Sequence, residues 1–328
     1  MSDASPPQAS IDPHALMRIE HLHLRARTIV EGFFGGLHRS PFHGQSVEFS
    51  EYRPYSVGDD LRSLDWKLLA RSDRLYVKKF EDETTRRCYL VLDQSKSMGY
   101  GSLEYSKLEY ARTLSATLAY FLTRTRDNVG LLTFDDMARD FVPAIQRPGH
   151  LRRLLVALSR QPSGEGTDLD TPLSQIAAIV PRRGLVVLIS DLLTPVGTLK
   201  SHLASLRSRG HEVLMIRILD PSEKELSLPK AAMVTDVESG RQIYLDPEQA
   251  REKYRAKFLA HQLELQRTCD AVGVALHTVS TDQPLTDVLF EFVRVSNARQ
   301  TSIARGGMLA SQVAKEVPGS QTVTGNRS

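Results

Sequence analysis

Cysteine is scarce: Cys88 and Cys269 are the two in 328 residues, too few for a disulfide framework. Cys88 sits in an apolar run and Cys269 on a helical stripe, so both read as small buried hydrophobes in a reducing compartment. An excess of one charge is also missing. Lys plus Arg total 42 against 39 for Asp plus Glu, and a net charge of +3 gives no reason to expect nucleic acid as a partner. No stretch approaches the ~18 apolar residues that a membrane helix needs, so membrane insertion is not expected. Met1 to Pro13 is polar and lacks a basic start followed by an apolar stretch, which is not the pattern of a secretory signal; a cytoplasmic location is expected. Familiar enzyme signatures are absent as well. There is no Gly-x-Gly-x-x-Gly after a strand, no Walker-type Gly-Lys-Ser/Thr, no Gly-x-Ser-x-Gly elbow, and no Cys or Ser with a legible base. The chain is not expected to be an enzyme.

What is present is an ordinary soluble composition, 41% hydrophobic and 25% charged, in a length comfortable for two domains. Residues 1–13 read as disordered, 14–83 as a smaller α+β N-terminal domain, 84–298 as an α/β domain, and 299–328 as a disordered tail. Within 14–83 the pattern predicts a helix from His14 to Leu37, a strand over 46–52, a helix over 61–70 and a strand over 74–80. With no Gly/Ser- or Pro-rich linker between Phe80 and Cys88, the smaller domain is expected to dock on the larger. From residue 84 onward, apolar strands alternate with amphipathic helices. Helices are predicted over 103–126 and under the stripes at Leu151–Leu158, Leu173–Val180, Leu199–Leu206, Tyr254–Cys269 and Leu285–Val295. Strands are predicted over 128–134, 138–142, 212–219 and 274–279, with an inserted hairpin over 233–245. Near-continuous apolar strands alternating with helices imply a doubly wound, mostly parallel sheet covered on both faces.

Two further apolar runs, read as buried strands, end in chemistry. Cys88 to Leu92 runs into Asp93-Gln94-Ser95-Lys96-Ser97, and Leu185 to Ile189 runs into Ser190-Asp191. Between them Gly166-Thr167-Asp168 offers another hydroxyl. Ligands of open α/β sheets bind outside the carboxyl ends of the strands, where such a sheet could gather these groups. Asp93, Ser95, Ser97, Thr167 and Asp191 are all oxygen donors, which suits a hard cation: Mg²⁺, with Mn²⁺ or Ca²⁺ as alternatives. The plain alternative is that Ser95 and Ser97 only cap a turn.

The set resembles the metal-ion-dependent adhesion site of von Willebrand factor A domains: Asp-x-Ser-x-Ser, then a distant Thr, then a distant Asp. The resemblance implies a von Willebrand A-like fold. It also implies that the three hydroxyls ligate the ion, that the carboxylates bind directly or through water, and that an open position takes a Glu or Asp from a partner. A second string, running from His38-Arg39-Ser40-Pro41-Phe42-His43-Gly44 through Tyr52-Arg53-Pro54-Tyr55 and Gly58-Asp59-Asp60 to Asp65-Trp66-Lys67, resembles a bacterial and archaeal family catalogued as domain of unknown function fifty-eight. That resemblance spans about Arg25 to Val295 and implies a MoxR-type AAA+ ATPase as partner, in the maturation of other proteins or complexes.

Other readings of the same residues are blander or belong to another class. His38 and His43 read as surface or hydrogen-bonding residues before zinc ligands. Arg53, Arg62 and Arg71 read as partners of Glu48, Asp59, Asp60 and Asp65 before phosphate ligands, and Trp66 suits a core as well as an interface. A metal-dependent phosphatase is the alternative function. Haloacid-dehalogenase-like chemistry, however, needs a second carboxylate two residues after the nucleophile, and Ser95 stands there. A structural scaffold with a vestigial site is a further alternative.

Overall fold

A computed structural model describes residues 11–37, 51–54, 76–79, 86–162, 170–180, 183–193, 196–225, 232–235, 242–245 and 247–296. The chain opens with α1 (Pro13–Met17) and α2 (Leu22–Leu37), then an antiparallel pair, β1 (Glu51–Pro54) and β2 (Tyr76–Lys79). Alternation begins at Arg87: β3 (Arg87–Asp93), α3 (Lys107–Arg124), β4 (Asn128–Phe134), β5 (Ala138–Ile145), α4 (His150–Leu158), α5 (Asp170–Ile179), β6 (Leu185–Ser190), α6 (Leu199–Ser208) and β7 (Glu212–Leu219). There follow α7 (Pro221–Glu225), the antiparallel hairpin β8 (Ala232–Thr235) and β9 (Gln242–Leu245), α8 (Pro247–Ala271), β10 (Ala275–Ser280) and a last helix, α9, over 285–296.

Six of these strands form one sheet in the order β10-β7-β6-β3-β4-β5. Every neighbouring pair is parallel except β4 with β5. The order is that of a doubly wound fold. The chain starts in the middle at β3, builds β4 and β5 to one side, then returns to build β6, β7 and β10 on the other. The reversal leaves a crevice outside the carboxyl ends of β3 and β6, which pair from Cys88↔Leu185 to Leu92↔Ile189.

The strands are apolar because both faces are covered. All of β6 is buried, and in β3, β4 and β7 only the first residue, Arg87, Asn128 or Glu212, is half-buried. Leu90 and Leu92 point into a core with α2, α3, α4 and α9, whereas Val91 points into a second core with α5, α6 and α8. The edge strand β5 alternates instead and carries Pro143 at an exposed position. Gly130 lets it close in: a Cβ there would lie 2.8 Å from Tyr89 Cδ1 and 2.9 Å from Ala144 N, beside the register shift between Val129 and Leu131.

The predicted helix over 14–37 is two helices. Arg25 makes the break, donating from Nη2 to the Met17 carbonyl at 2.6 Å and from Nε to the Ile19 carbonyl. Ala26, Ile29, Val30 and Phe33 form one stripe of α2, buried against α3 and α9, with the Phe33 ring 5.6 Å from Phe121 and 4.4 Å from Phe290. Arg25 Nη1 meets Glu109 of α3 at 2.9 Å. Residues 13–37 therefore share the core of the sheet, although the sequence pattern groups them with the smaller domain. The predicted helix over 103–126 starts later, at Lys107, where Ser106 accepts from Glu109 N. The residues before it are held elsewhere, Ser102 donating from N and Oγ to Asp220 beyond β7. The predicted strands over 128–134 and 212–219 coincide with β4 and β7, and the 233–245 hairpin with β8 and β9. The expected helix over 61–70, most of the strand over 46–52 and the tail from 299 lie outside the described residues.

Candidate metal centre

Asp93 is the last residue of β3 and is fully buried. Its Oδ1 accepts from Ser95 N at 2.9 Å, and its Oδ2 accepts from Ser190 Oγ at 2.6 Å. Ser190 ends β6, the neighbouring strand, and its Oγ also accepts from Leu192 N at 3.1 Å. Leu192 adopts a left-handed φ of 52°, which turns the chain sharply after Asp191. Ser95 precedes a short 3₁₀ turn, Lys96–Gly99, and that turn sets Ser95 Oγ 3.1 Å from Ser97 Oγ. Asp93, Ser95 and Ser97 thus converge at one strand end, with Asp191 at the end of the adjacent strand. Thr167 lies outside the described residues.

The two carboxylates live in different surroundings. Burial first, and then the charge of Asp191, raise the Asp93 pKa from 3.8 to about 7, against the hydrogen bonds from Ser190 and Ser95. Among the described residues no Lys or Arg pairs with Asp93. Asp191 does have a cation: its Oδ2 lies 2.8 Å from the ammonium of Lys107, which also reaches Glu223 Oε1 at 2.5 Å. Burial favours the neutral amine of Lys107, but Asp191 and Glu223 outweigh it and raise its pKa. Behind the loop, buried Arg217 donates from Nε to the Asp191 carbonyl at 3.1 Å and lies 5.3 Å from the Phe258 ring.

Among the described residues no group of three or more His, Cys, Asp or Glu is placed to hold a metal. A cation here would depend on hydroxyls. The donors fit that requirement: a buried carboxyl without a cation of its own, two hydroxyls beside it, and a second carboxylate on the next strand.

Sequence reasoning passed over Lys107, Glu223 and Arg217. Two signals were available. Lys107 lies on the same helical stripe as Ala111, Leu114 and Leu118, and Arg217 is the one charge inside an otherwise apolar run, Val213 to Leu219. His38 and His43, and the Arg62, Asp65, Trp66 and Arg71 positions, lie outside the described residues, and the side chain of Arg53 in β1 is likewise not described.

Known proteins resemble this chain at several levels. An uncharacterized protein of Mycobacterium tuberculosis, Rv1480, is 29% identical over 299 residues, covering 89% of this chain and 92% of its own length. An uncharacterized protein of Mycobacterium avium is 31% identical over 158 residues, 48% of this chain and 90% of its own. Among solved structures, an aerotolerance-related membrane protein from Bacteroides fragilis aligns with a TM-score of 0.42 and 19% identity, over 63% of this chain and 97% of its own. The SpRpn10 VWA domain aligns with a TM-score of 0.38 and 13% identity, over 63% of this chain and 94% of its own. The model of one family, described as "Protein of unknown function DUF58", matches residues 51–264, well over half of the chain. This chain belongs to the DUF58 family.

Proposed function

We propose that the protein is a non-enzymatic, cytoplasmic interaction module whose recognition site is a divalent cation, Mg²⁺ before Mn²⁺ or Ca²⁺, held at the carboxyl ends of β3 and β6. The observation that carries this reading is the convergence of Asp93, Ser95 and Ser97 beside Asp191 at the switch point of a doubly wound sheet. Asp93 supplies the central carboxylate, and Ser190 and the Ser95 amide fix its orientation. Ser95, Ser97 and Thr167 supply neutral donors, so little protein charge offsets a bound ion. A divalent cation in this setting supplies a Lewis-acidic position for a partner's Glu or Asp carboxylate. Among the described residues Ser95 Oγ lies beside Ser97 Oγ and the Asp93 carboxylate, an arrangement that suits a set of cation donors, and Lys107 is committed to two carboxylates. The family resemblance points to a MoxR-type AAA+ ATPase as partner, with the pair acting on a client protein or complex.

The test is capture of the purified MoxR-type ATPase from the same genome, with Mg²⁺ and with excess chelator. Capture that requires Mg²⁺ and is lost in Asp93→Ala is expected. Capture that survives chelation moves the contact off this site. Turnover of a generic phosphate ester that depends on Asp93 would favour the phosphatase instead.

A further inference from the structure

We infer that Lys107 is an affinity-determining residue of the cation site, a tethered positive charge that holds Asp191 back from a divalent ion. The inference rests on the cation-site reading above. Lys107 is the first residue of α3, and its side chain has no exposed surface. Its ammonium is shared between Asp191 Oδ2, at 2.8 Å, and Glu223 Oε1, at 2.5 Å. Arg217 stands behind the same loop with Nε on the Asp191 carbonyl, and its two terminal nitrogens have no hydrogen-bond partner among the described residues. The carboxylates of Asp191 and Glu223 therefore already share the Lys107 ammonium before any ion arrives. Asp93 is left as the carboxylate of the set with no cation beside it among the described residues.

A buried carboxylate already paired with an ammonium attracts an incoming cation weakly, and the ammonium repels that cation through a medium of low dielectric. The site's intrinsic affinity then comes from Asp93 and the hydroxyls, and a bound ion retains charge that an acidic partner group can complete. Glu223 acts in the opposite sense. It draws Lys107 from the other side and offsets part of its charge, so it favours the ion even though it lies in α7 and outside the five-donor set.

The experiment is calorimetric titration of the full chain with MgCl₂ and MnCl₂ at pH 8 after chelator treatment, with a melting curve for each variant. Lys107→Gln and Lys107→Met should tighten the Kd by roughly tenfold or more, and Glu223→Gln should weaken it severalfold. A merely structural ion pair destabilises the fold in the same direction whichever partner is removed, and does not move metal affinity in opposite directions. Unchanged or weaker binding in a folded Lys107 variant overturns the inference. If neither Lys107 variant folds, Glu223→Gln decides: unchanged or tighter binding overturns it. Asp93→Asn separates the two claims. If wild-type binding is absent, or persists in Asp93→Asn, the cation-site reading fails and this inference with it. If Asp93→Asn abolishes binding but Lys107→Gln does not tighten it, only the role of Lys107 fails.

Discussion

Replacing Asp93 by Asn isolates one buried proton. The substitution keeps the side chain's shape. The Asn oxygen can still accept from Ser95 N, which is 2.9 Å from Asp93 Oδ1. Ser190 Oγ, which donates to Asp93 Oδ2 at 2.6 Å, then faces an amide and must turn its proton away, at a cost of about 1 kcal/mol. The larger consequence is in the pH dependence. Asp93 moves from 3.8 to about 7 on folding in the absence of metal. A carboxyl whose pKa rises on folding binds its proton more tightly in the native state. Its contribution is full below the unfolded value and is lost as pH climbs through the folded one. Between those limits wild type loses roughly 1.4 kcal/mol per pH unit from this group, or roughly 2 kcal/mol from pH 5 to pH 7. Asp93→Asn has no such proton, and groups away from this site titrate alike in both proteins. Urea unfolding in chelator at pH 5, 6 and 7 should therefore show wild type losing roughly 2 kcal/mol relative to the variant. Saturating Mg²⁺ should flatten or reverse that trend, because a bound cation holds Asp93 ionised. A constant difference between two folded proteins across this range would mean that native Asp93 titrates near its ordinary value, and would refute the reasoning.

Three further outcomes bear on separate links. Phe33→Ala should cost about 3–5 kcal/mol in urea unfolding, because Phe33 is 2% exposed among Phe121 and Phe290; a loss below about 1 kcal/mol would detach α2 from the core. Arg217→Met should change stability by no more than about 1 kcal/mol in either direction, since it removes a buried charge whose two terminal nitrogens are unpartnered among the described residues while keeping volume; a severe loss would mean that the guanidinium is fully compensated. Thr167→Ala should weaken metal-dependent partner capture with an unchanged circular dichroism melt, and collapse of its fold would give Thr167 a structural role instead.

The strand ends were the legible part of this site. A buried parallel strand must be apolar, so the switch to Asp-Gln-Ser after Leu92 and to Ser-Asp after Ile189 marks a place where the chain leaves the core carrying polar groups. The partners of Asp191 were not legible. Lys107 is 84 residues away and Glu223 is 116 residues from Lys107, and their meeting depends on which strands lie side by side. The apolar stripe could have flagged Lys107 as buried, but not as paired. The break between α1 and α2 was hidden for a related reason: the apolar spacing continues across it, and what ends the helix is a side chain, Arg25, taking the carbonyls of Met17 and Ile19. Helix α3 starts at Lys107 rather than 103 because Asp220, at the far end of β7, holds Ser102.

The most direct test of the account is the melting temperature of wild type and Asp93→Ala at pH 8, each in chelator and in millimolar MgCl₂. A ligand that binds only the folded state stabilises it by mass action, so Mg²⁺ should raise the wild-type melting temperature and leave the variant unmoved. An equal response in the two proteins, or none in either, would contradict the assignment of a divalent-cation site to Asp93 and the groups around it.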